Sequence, residues 1–313
     1  MSLRNPVSLS GAKLLAPFPP PMLEISSMKT DALRGKLFLL LATMLAGVGW
    51  IASKLVILHM PGEVFIAARF LIASLILLPF CYQQILALRG KQIAALCGVG
   101  LVLAASIEVW VHAITISDTL SEGAFIMSLA MIIAPFISWL LFKVRPNRMF
   151  WITLPIACIG IMLLTITTGW EVDNSQWFFL LSSALLSLHF VLNKRVLTNI
   201  KPLTSICVQL FMVGVAGSVI MALVSPEHFE LNGQLFFWFA VSTVIATSVR
   251  YLLQTLGQFN VKLETASLIM ILEPIWTLIL SISFLNEVVE VQKLIGGGVI
   301  LLSLFIYIKF SKN

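Results

Sequence analysis

Ten transmembrane helices in two inverted five-helix repeats, an all-α membrane protein, are what this sequence predicts, on three observations. The first is composition: of 313 residues, 59% are hydrophobic and 11% charged, and the mean hydropathy is +1.01. A soluble domain carries roughly 25% charged residues, so this chain lacks the polar side chains to cover a water-facing surface. The second is the regular spacing of apolar runs. The third is an internal echo. Glu108, His112, Ser121-Glu122-Gly123-Ala124, Pro135, Trp139 and Gly160 in the first half recur as Arg250, Gln254, Leu263-Glu264-Thr265-Ala266, Pro274, Trp276 and Gly296-Gly297-Gly298 in the second.

A hydrocarbon core of about 30 Å takes about twenty apolar residues per helix. With Gly, Pro and charge as punctuation, spans are expected at 36–57, 63–81, 93–114, 121–142 and 149–168, then at 175–196, 202–224, 235–256, 263–284 and 291–309. Residues 36–168 and 175–309 form the two repeats. Residues 1–35 read as a disordered cytoplasmic tail, since Pro17, Pro19, Pro20 and Pro21 interrupt any helix. No continuous apolar core follows Arg4, which argues against a cleaved signal peptide, and Met28 is an alternative start. Smaller matches join the halves. Trp50 and Lys54 are spaced like Phe190 and Lys194, and Pro61 and Phe70 like Pro202 and Phe211.

Basic residues set the orientation. Placing both termini in the cytoplasm puts Arg34, Lys36, Arg89, Lys91, Lys143, Arg145, Arg148, Lys194, Arg195, Lys201, Lys262 and Lys309 inside. The outer loops then carry Asp118, Glu171, Asp173, Glu227, Glu230, Glu287 and Glu290, with Lys293 as their one basic residue. Five spans per repeat is odd, so the second repeat enters from the opposite face. In secondary transporters with that topology the substrate site lies near the midplane, between repeats. The net charge of +6 comes in short inter-span clusters, a pattern of membrane orientation and not of nucleic-acid binding. Cys81, Cys97, Cys158 and Cys207 lie in apolar runs without metal or redox spacing and read as small hydrophobes.

The two repeats, Glu264-Thr265-Ala266-Ser267, Glu273-Pro274, Leu285-Asn286-Glu287 and Gly296-Gly297-Gly298 together resemble the EamA-type, ten-helix branch of the drug/metabolite transporter superfamily, over roughly residues 36–309. The sequence departs from that pattern at Gly47-Val48-Gly49-Trp50 and at Lys143-Val144-Arg145-Pro146. The resemblance implies a carrier of the bacterial inner membrane, often an exporter of amino acids or other small metabolites.

Ionisable side chains inside a bilayer are costly and persist when paired, or when facing water or ligand. Counting depth along each span puts Lys54, Arg69, Glu108 and His112 in an outer set, with Arg69 the expected partner of Glu108. His189, Lys194, Arg250 and Gln254 form an inner set, and Glu273 lies nearest the midplane. The two sets read as an outer and an inner gate around a substrate cavity lined by Glu273 and aromatic residues. Structural readings stand beside this one: a static Arg69–Glu108 pair, Lys54 and Lys194 snorkelling to the interfaces, and His189 held by a backbone carbonyl. Trp50, Trp110, Tyr251 and Trp276 are candidate cavity walls, while Trp170 and Trp177 read as belt residues. Pro135 and Pro274 are candidate hinges, because each removes a helical hydrogen bond in mid-span.

No P-loop, nucleophile elbow or zinc helix is present, and the four histidines lack metal spacing. The expectation is therefore no enzyme, no cofactor and no metal. A small-molecule substrate, the lipid bilayer and protons as a candidate coupling ion are the expected partners. Arg69 and Arg250 suit a carboxylate and Glu273 an amine, which points to amino-acid-like export. Import of a vitamin or other nutrient, or flipping of a lipid-linked metabolite, are the alternatives.

Overall fold

The computed structural model describes residues 22–117, 120–165, 174–198, 200–224, 228–286 and 291–310. Among the described residues all regular structure is helical. The first half comprises α1 (Met22–Ile57), α2 (Gly62–Leu77), a short α3 (Tyr82–Leu86), α4 (Gly90–Ile116), α5 (Leu120–Phe142) and α6 (Arg148–Thr165). The second half holds α7 (Asn174–Val196), α8 (Pro202–Val224), α9 (Gly233–Ala240), α10 (Arg250–Asn260), α11 (Leu263–Met270), α12 (Glu273–Leu285) and α13 (Val291–Phe310). A π-helical stretch, Val241–Val249, joins α9 to α10 without a break.

Eight of these segments are long and apolar enough to cross a membrane, while α6 and α13 contribute only shorter apolar stretches. Helix starts follow chemistry already visible in the sequence. Pro61 precedes α2, Pro202 opens α8, and Asn232 caps α9 by accepting from the Leu235 amide at 2.7 Å. The expected tail is corrected in part, since α1 reaches back to Met22. Past the proline run, Leu23, Glu24, Met28, Lys29, Ala32 and Leu33 are ordinary helix formers, and nothing stops the turn. Residues 1–21 lie outside the described residues, as do Asp118, Trp170, Glu171, Asp173, Glu227, Glu287 and Glu290.

The broadest interfaces all join one half to the other: α2 and α4 on α8, α6 on α13, α4 and α5 on α7, and α1 on α10 and α12. Exchanging the halves maps most of this set onto itself, and the counterpart of α4·α8 is the lesser contact of the π-helical stretch with α2. α2·α8 and α6·α13 pair like with like, while α4·α7 answers α10·α1 and α5·α7 answers α12·α1. Lipid tails are as apolar as leucine, so such helices are held by close packing and need small residues where backbones approach. A Cβ on Gly214 would come 2.7 Å from the Leu71 amide nitrogen, and one on Gly160 would come 2.9 Å from the Gly296 carbonyl. Of the glycine triplet, Gly296 meets Gly160, whereas Gly297 and Gly298 face open space. Ser106 and Ser182 lock α4 to α7 reciprocally, each hydroxyl donating to the other's carbonyl at 3.0 and 2.8 Å. Cys81 and Cys207 are buried and Cys97 and Cys158 half-buried, all four as free thiols.

The proline pair diverges. α5 runs through Pro135 as one helix, but the chain turns at Ile271-Leu272 and restarts as α12 with Pro274 in its first turn. There the Leu272 amide donates back three residues to Ile269, the tighter bonding that ends a helix. Glu273 is thereby placed at the N-terminus of a half-helix, where the helix dipole favours a negative charge.

Candidate functional site

The broken helix, the π-helical stretch and the middle of α1, α2, α4 and α5 enclose a cavity of about 60 Å³. Trp50, Arg69, Phe70, Trp110, Arg250, Tyr251, Glu273 and Pro274 line it, with Ser106, Met127, Ser128 and Met270 among the remaining wall.

Glu273 is its centre. Oε1 accepts from Trp50 Nε1 at 2.9 Å, and Oε2 lies 3.4 Å from Arg250 Nη2. Tyr251 carries the Arg250 guanidinium on its ring, 4.4 Å from the centroid. Trp50 in turn meets Trp110 edge-on at 5.1 Å, and Phe70 meets Tyr251 at 6.4 Å. Arg69 is 4% exposed. Its Nε donates to Thr247 Oγ1 at 2.5 Å and its Nη1 to Ser53 Oγ at 2.9 Å. Both hydroxyls donate their own protons to main-chain carbonyls, Thr247 to Ser242 five residues back and Ser53 to Gly49. They are therefore fixed as acceptors for the arginine. The five-residue back-bond belongs to the π geometry, and π segments concentrate at functional sites.

Arg69 does not pair with Glu108, which corrects that expectation. Ser53 and Thr247 hold the guanidinium, and α4 turns Ser106, Ile107 and Trp110 to the cavity. Glu108 is half-buried on another face of α4, with Oε1 enclosed and without a partner. His112 is exposed and meets Phe178 edge-on at 4.6 Å. Arg69, Glu108 and His112 are thus not brought together in this conformation, because depth along a helix fixes height and not azimuth. Trp276 is also absent from the cavity wall. It packs across Gly47 and donates to Thr43 Oγ1 at 3.1 Å, tying α12 to α1. Pro135 lines a separate recess with Ser138, Arg145, Lys194 and Lys262.

The inner set divides. Arg250 belongs to the cavity, whereas His189 joins a buried polar chain. Its Nε2 lies 2.8 Å from Gln209 Oε1, Gln209 donates to Asn193 at 3.0 Å, and Asn193 donates to Gln258 at 2.5 Å. Gln254 is 2% exposed, and its Oε1 has no partner. Lys54 and Lys194 occupy matching structural places. Lys54 Nζ donates to Ile114 O at 3.1 Å and Ser117 O at 2.7 Å, at the end of α4. Lys194 donates to Val261 O at 2.6 Å and also to Gln258 O, at the end of α10. Each cation caps the C-terminus of the third span in its own repeat, where a positive charge opposes the helix dipole.

Ser53 and Thr247 were missed in the sequence reading, and so was the chain through Gln209, Asn193 and Gln258. The available signal was polar density: Ser242, Thr243, Thr247 and Ser248 crowd one apolar span, and interhelical polar contacts concentrate on such residues.

The model of the EamA-like transporter family matches residues 33–166 and 175–309. No curated protein matches the chain. A solved protein crystal structure aligns with a TM-score of 0.70 and 12% identity, covering 89% of this chain and 96% of its own; at that identity the likeness shows the fold alone. The chain belongs to the EamA-like transporter family, as a multi-pass membrane protein with two EamA repeats.

Proposed function

We propose that this EamA-like transporter exports an amino-acid-like metabolite across a bacterial inner membrane by alternating access. In this reading ten helices span the bilayer as two inverted repeats, and both termini are cytoplasmic. The observation that carries it is the cavity at the broken helix, where Arg69, Arg250 and Glu273 meet Trp50, Trp110 and Tyr251. Charged groups at that depth are costly unless they serve a ligand or one another. Two guanidiniums offer a carboxylate fixed, forked donors, and the aromatic rings cover an apolar body.

The α11–α12 break supplies a place to bend beside the cargo, and discontinuous helices of this kind form substrate sites in other transporters. Outward and inward opening would rock one repeat against the other around the α2·α8 and α6·α13 seams. Glu273 is the group best placed to exchange a proton with the cavity during that cycle.

Reconstituted vesicles test the proposal through flux of labelled amino acids and related carboxylates under an imposed pH gradient, with fluorescent-lipid translocation measured in parallel. Carboxylate flux that depends on Arg69 and Arg250 is the expected result. Lipid movement without carboxylate flux would replace the proposal with a flippase. Vitamin uptake without amino-acid flux would replace it with a nutrient importer.

A further inference from the structure

Building on the transport reading above, we infer that the cargo enters the cavity as a net monoanion. It is an amino-acid-shaped carboxylate with a planar apolar body, and its amino group is absent or masked, as in an arylalkanoate or an N-acyl amino acid. The charged residues lining the cavity are Arg69, Arg250 and Glu273, two cations against one anion. Both oxygens of Glu273 are already engaged, one by Trp50 and one by Arg250. A cargo ammonium would have to share a carboxylate whose charge Arg250 already offsets, so Glu273 attracts it less than an unpaired acid would.

The cations, by contrast, have donors to spare. Arg69 donates only to two neutral hydroxyls, and its Nη2 makes no hydrogen bond. Among the described residues no carboxylate lies within ion-pair distance of it. Arg250 holds Glu273 by a single long contact of 3.4 Å, and its Nε is buried without a partner. Removing one partner from a buried charge pair is far more costly than never forming it. Here the missing counter-charge is at Arg69, and Arg250 lines the same cavity. Trp50, Trp110, Phe70 and Tyr251 then flank the rest of the molecule, which favours a flat apolar body.

Three probes of one shape and different charge test this on the purified, lipid-reconstituted protein: 3-phenylpropionate, phenylalanine and 2-phenylethylamine. Binding is read by quenching of tryptophan fluorescence, since Trp50 and Trp110 line the cavity, and by thermal shift. The expected order is 3-phenylpropionate tightest, phenylalanine weaker by about tenfold or more, which is about 1.4 kcal/mol, and 2-phenylethylamine without effect. Arg69→Gln should abolish the preference for 3-phenylpropionate. Glu273→Gln should keep or strengthen 3-phenylpropionate binding and should not admit the amine. Should Arg69→Gln fail to fold, Thr247→Val keeps the charge but removes its anchor, and it should weaken 3-phenylpropionate selectively.

Phenylalanine or 2-phenylethylamine binding as tightly as 3-phenylpropionate would overturn the inference, as would no binding by any of the three, or an Arg69 variant with unchanged preference. Phenylalanine flux without anion preference overturns the charge assignment and leaves the transport reading standing. Anion-selective binding with no flux does the reverse.

Discussion

Replacing Lys54 by methionine separates a scaffold role from a gating role. The ammonium donates to Ile114 O and Ser117 O at 3.1 and 2.7 Å, and those residues are 0% and 4% exposed. Hydrogen bonds from a charged donor contribute about 1.5–3 kcal/mol each, and water is poorly placed to replace these two. The gross loss is therefore about 3–6 kcal/mol, offset in part because methionine needs no hydration. A net loss of about 3 kcal/mol is expected, roughly a hundredfold in the unfolding equilibrium. Lys194→Met should behave alike at α10, and the double variant should sum to within about 0.5 kcal/mol, because the caps share no partner. The assay is equilibrium unfolding in mixed micelles followed by tryptophan fluorescence, with transport normalised to folded protein. Lowered stability with transport per folded molecule retained is the predicted outcome. Unchanged stability with transport lost would refute the capping argument and return both lysines to the gates.

Three further outcomes follow from the packing. Gly160→Val should lose about 1–3 kcal/mol through overpacking, because its Cβ would sit 2.9 Å from Gly296 O and 3.1 Å from the Ile300 nitrogen, both backbone; Gly297→Ala, facing open space, should be near neutral in the same unfolding assay. Pro274→Ala restores the missing amide, so α11 and α12 should join into one helix: initial flux should fall while the unfolding midpoint rises, and unchanged flux would remove the hinge from the mechanism. Ser106→Ala and Ser182→Ala should each lose about 0.6–1.7 kcal/mol, as interhelical bonds in membranes do, and the losses should be nearly additive because each hydroxyl donates to a main-chain carbonyl that the other substitution leaves in place; no loss from either would mean the pair contributes packing alone.

Helix positions were legible because span length, proline and glycine are one-dimensional signals. The Pro61 and Pro202 starts and the Gly160 and Gly296 seams are of that kind. Pairing was less legible. Counting residues gave Arg69 and Glu108 the same depth, yet Glu108 lies on another face of α4 from Ser106 and Trp110, and the hydroxyls of Ser53 and Thr247 took the guanidinium instead. Arg250 was assigned to an inner gate because its depth was counted along an ideal α-helix. The π-helical stretch Val241–Val249 shifts the phase of everything after it, and the break before Glu273 brings the carboxylate to meet it. Neither irregularity leaves a periodic trace in the sequence. The serine and threonine crowding at 242–248 was its only advance notice.

The duplication itself sorts scaffold from chemistry. Where the repeats agree in the structure, the shared feature holds helices together: Lys54 and Lys194 cap equivalent helix ends, and Gly160 meets Gly296 across the halves. Where they disagree, the difference falls on the cavity. Trp50 stands where the second repeat has Phe190, and only the indole can donate to Glu273. Arg250 faces the cavity where Glu108 does not, and Pro274 breaks its helix where Pro135 leaves one intact. A symmetric pair of sites would bind a two-fold symmetric cargo or none. Divergence confined to one side of the pseudo-symmetry places Arg250, Glu273 and the Trp50 indole side by side on the cavity. That asymmetry can orient an amphipathic anion, so Trp50→Phe should weaken binding of 3-phenylpropionate through the freed Glu273 carboxylate, while Phe190→Trp, remote from the cavity, should leave affinity unchanged. Equal effects of the two substitutions would show that the repeats share the site after all.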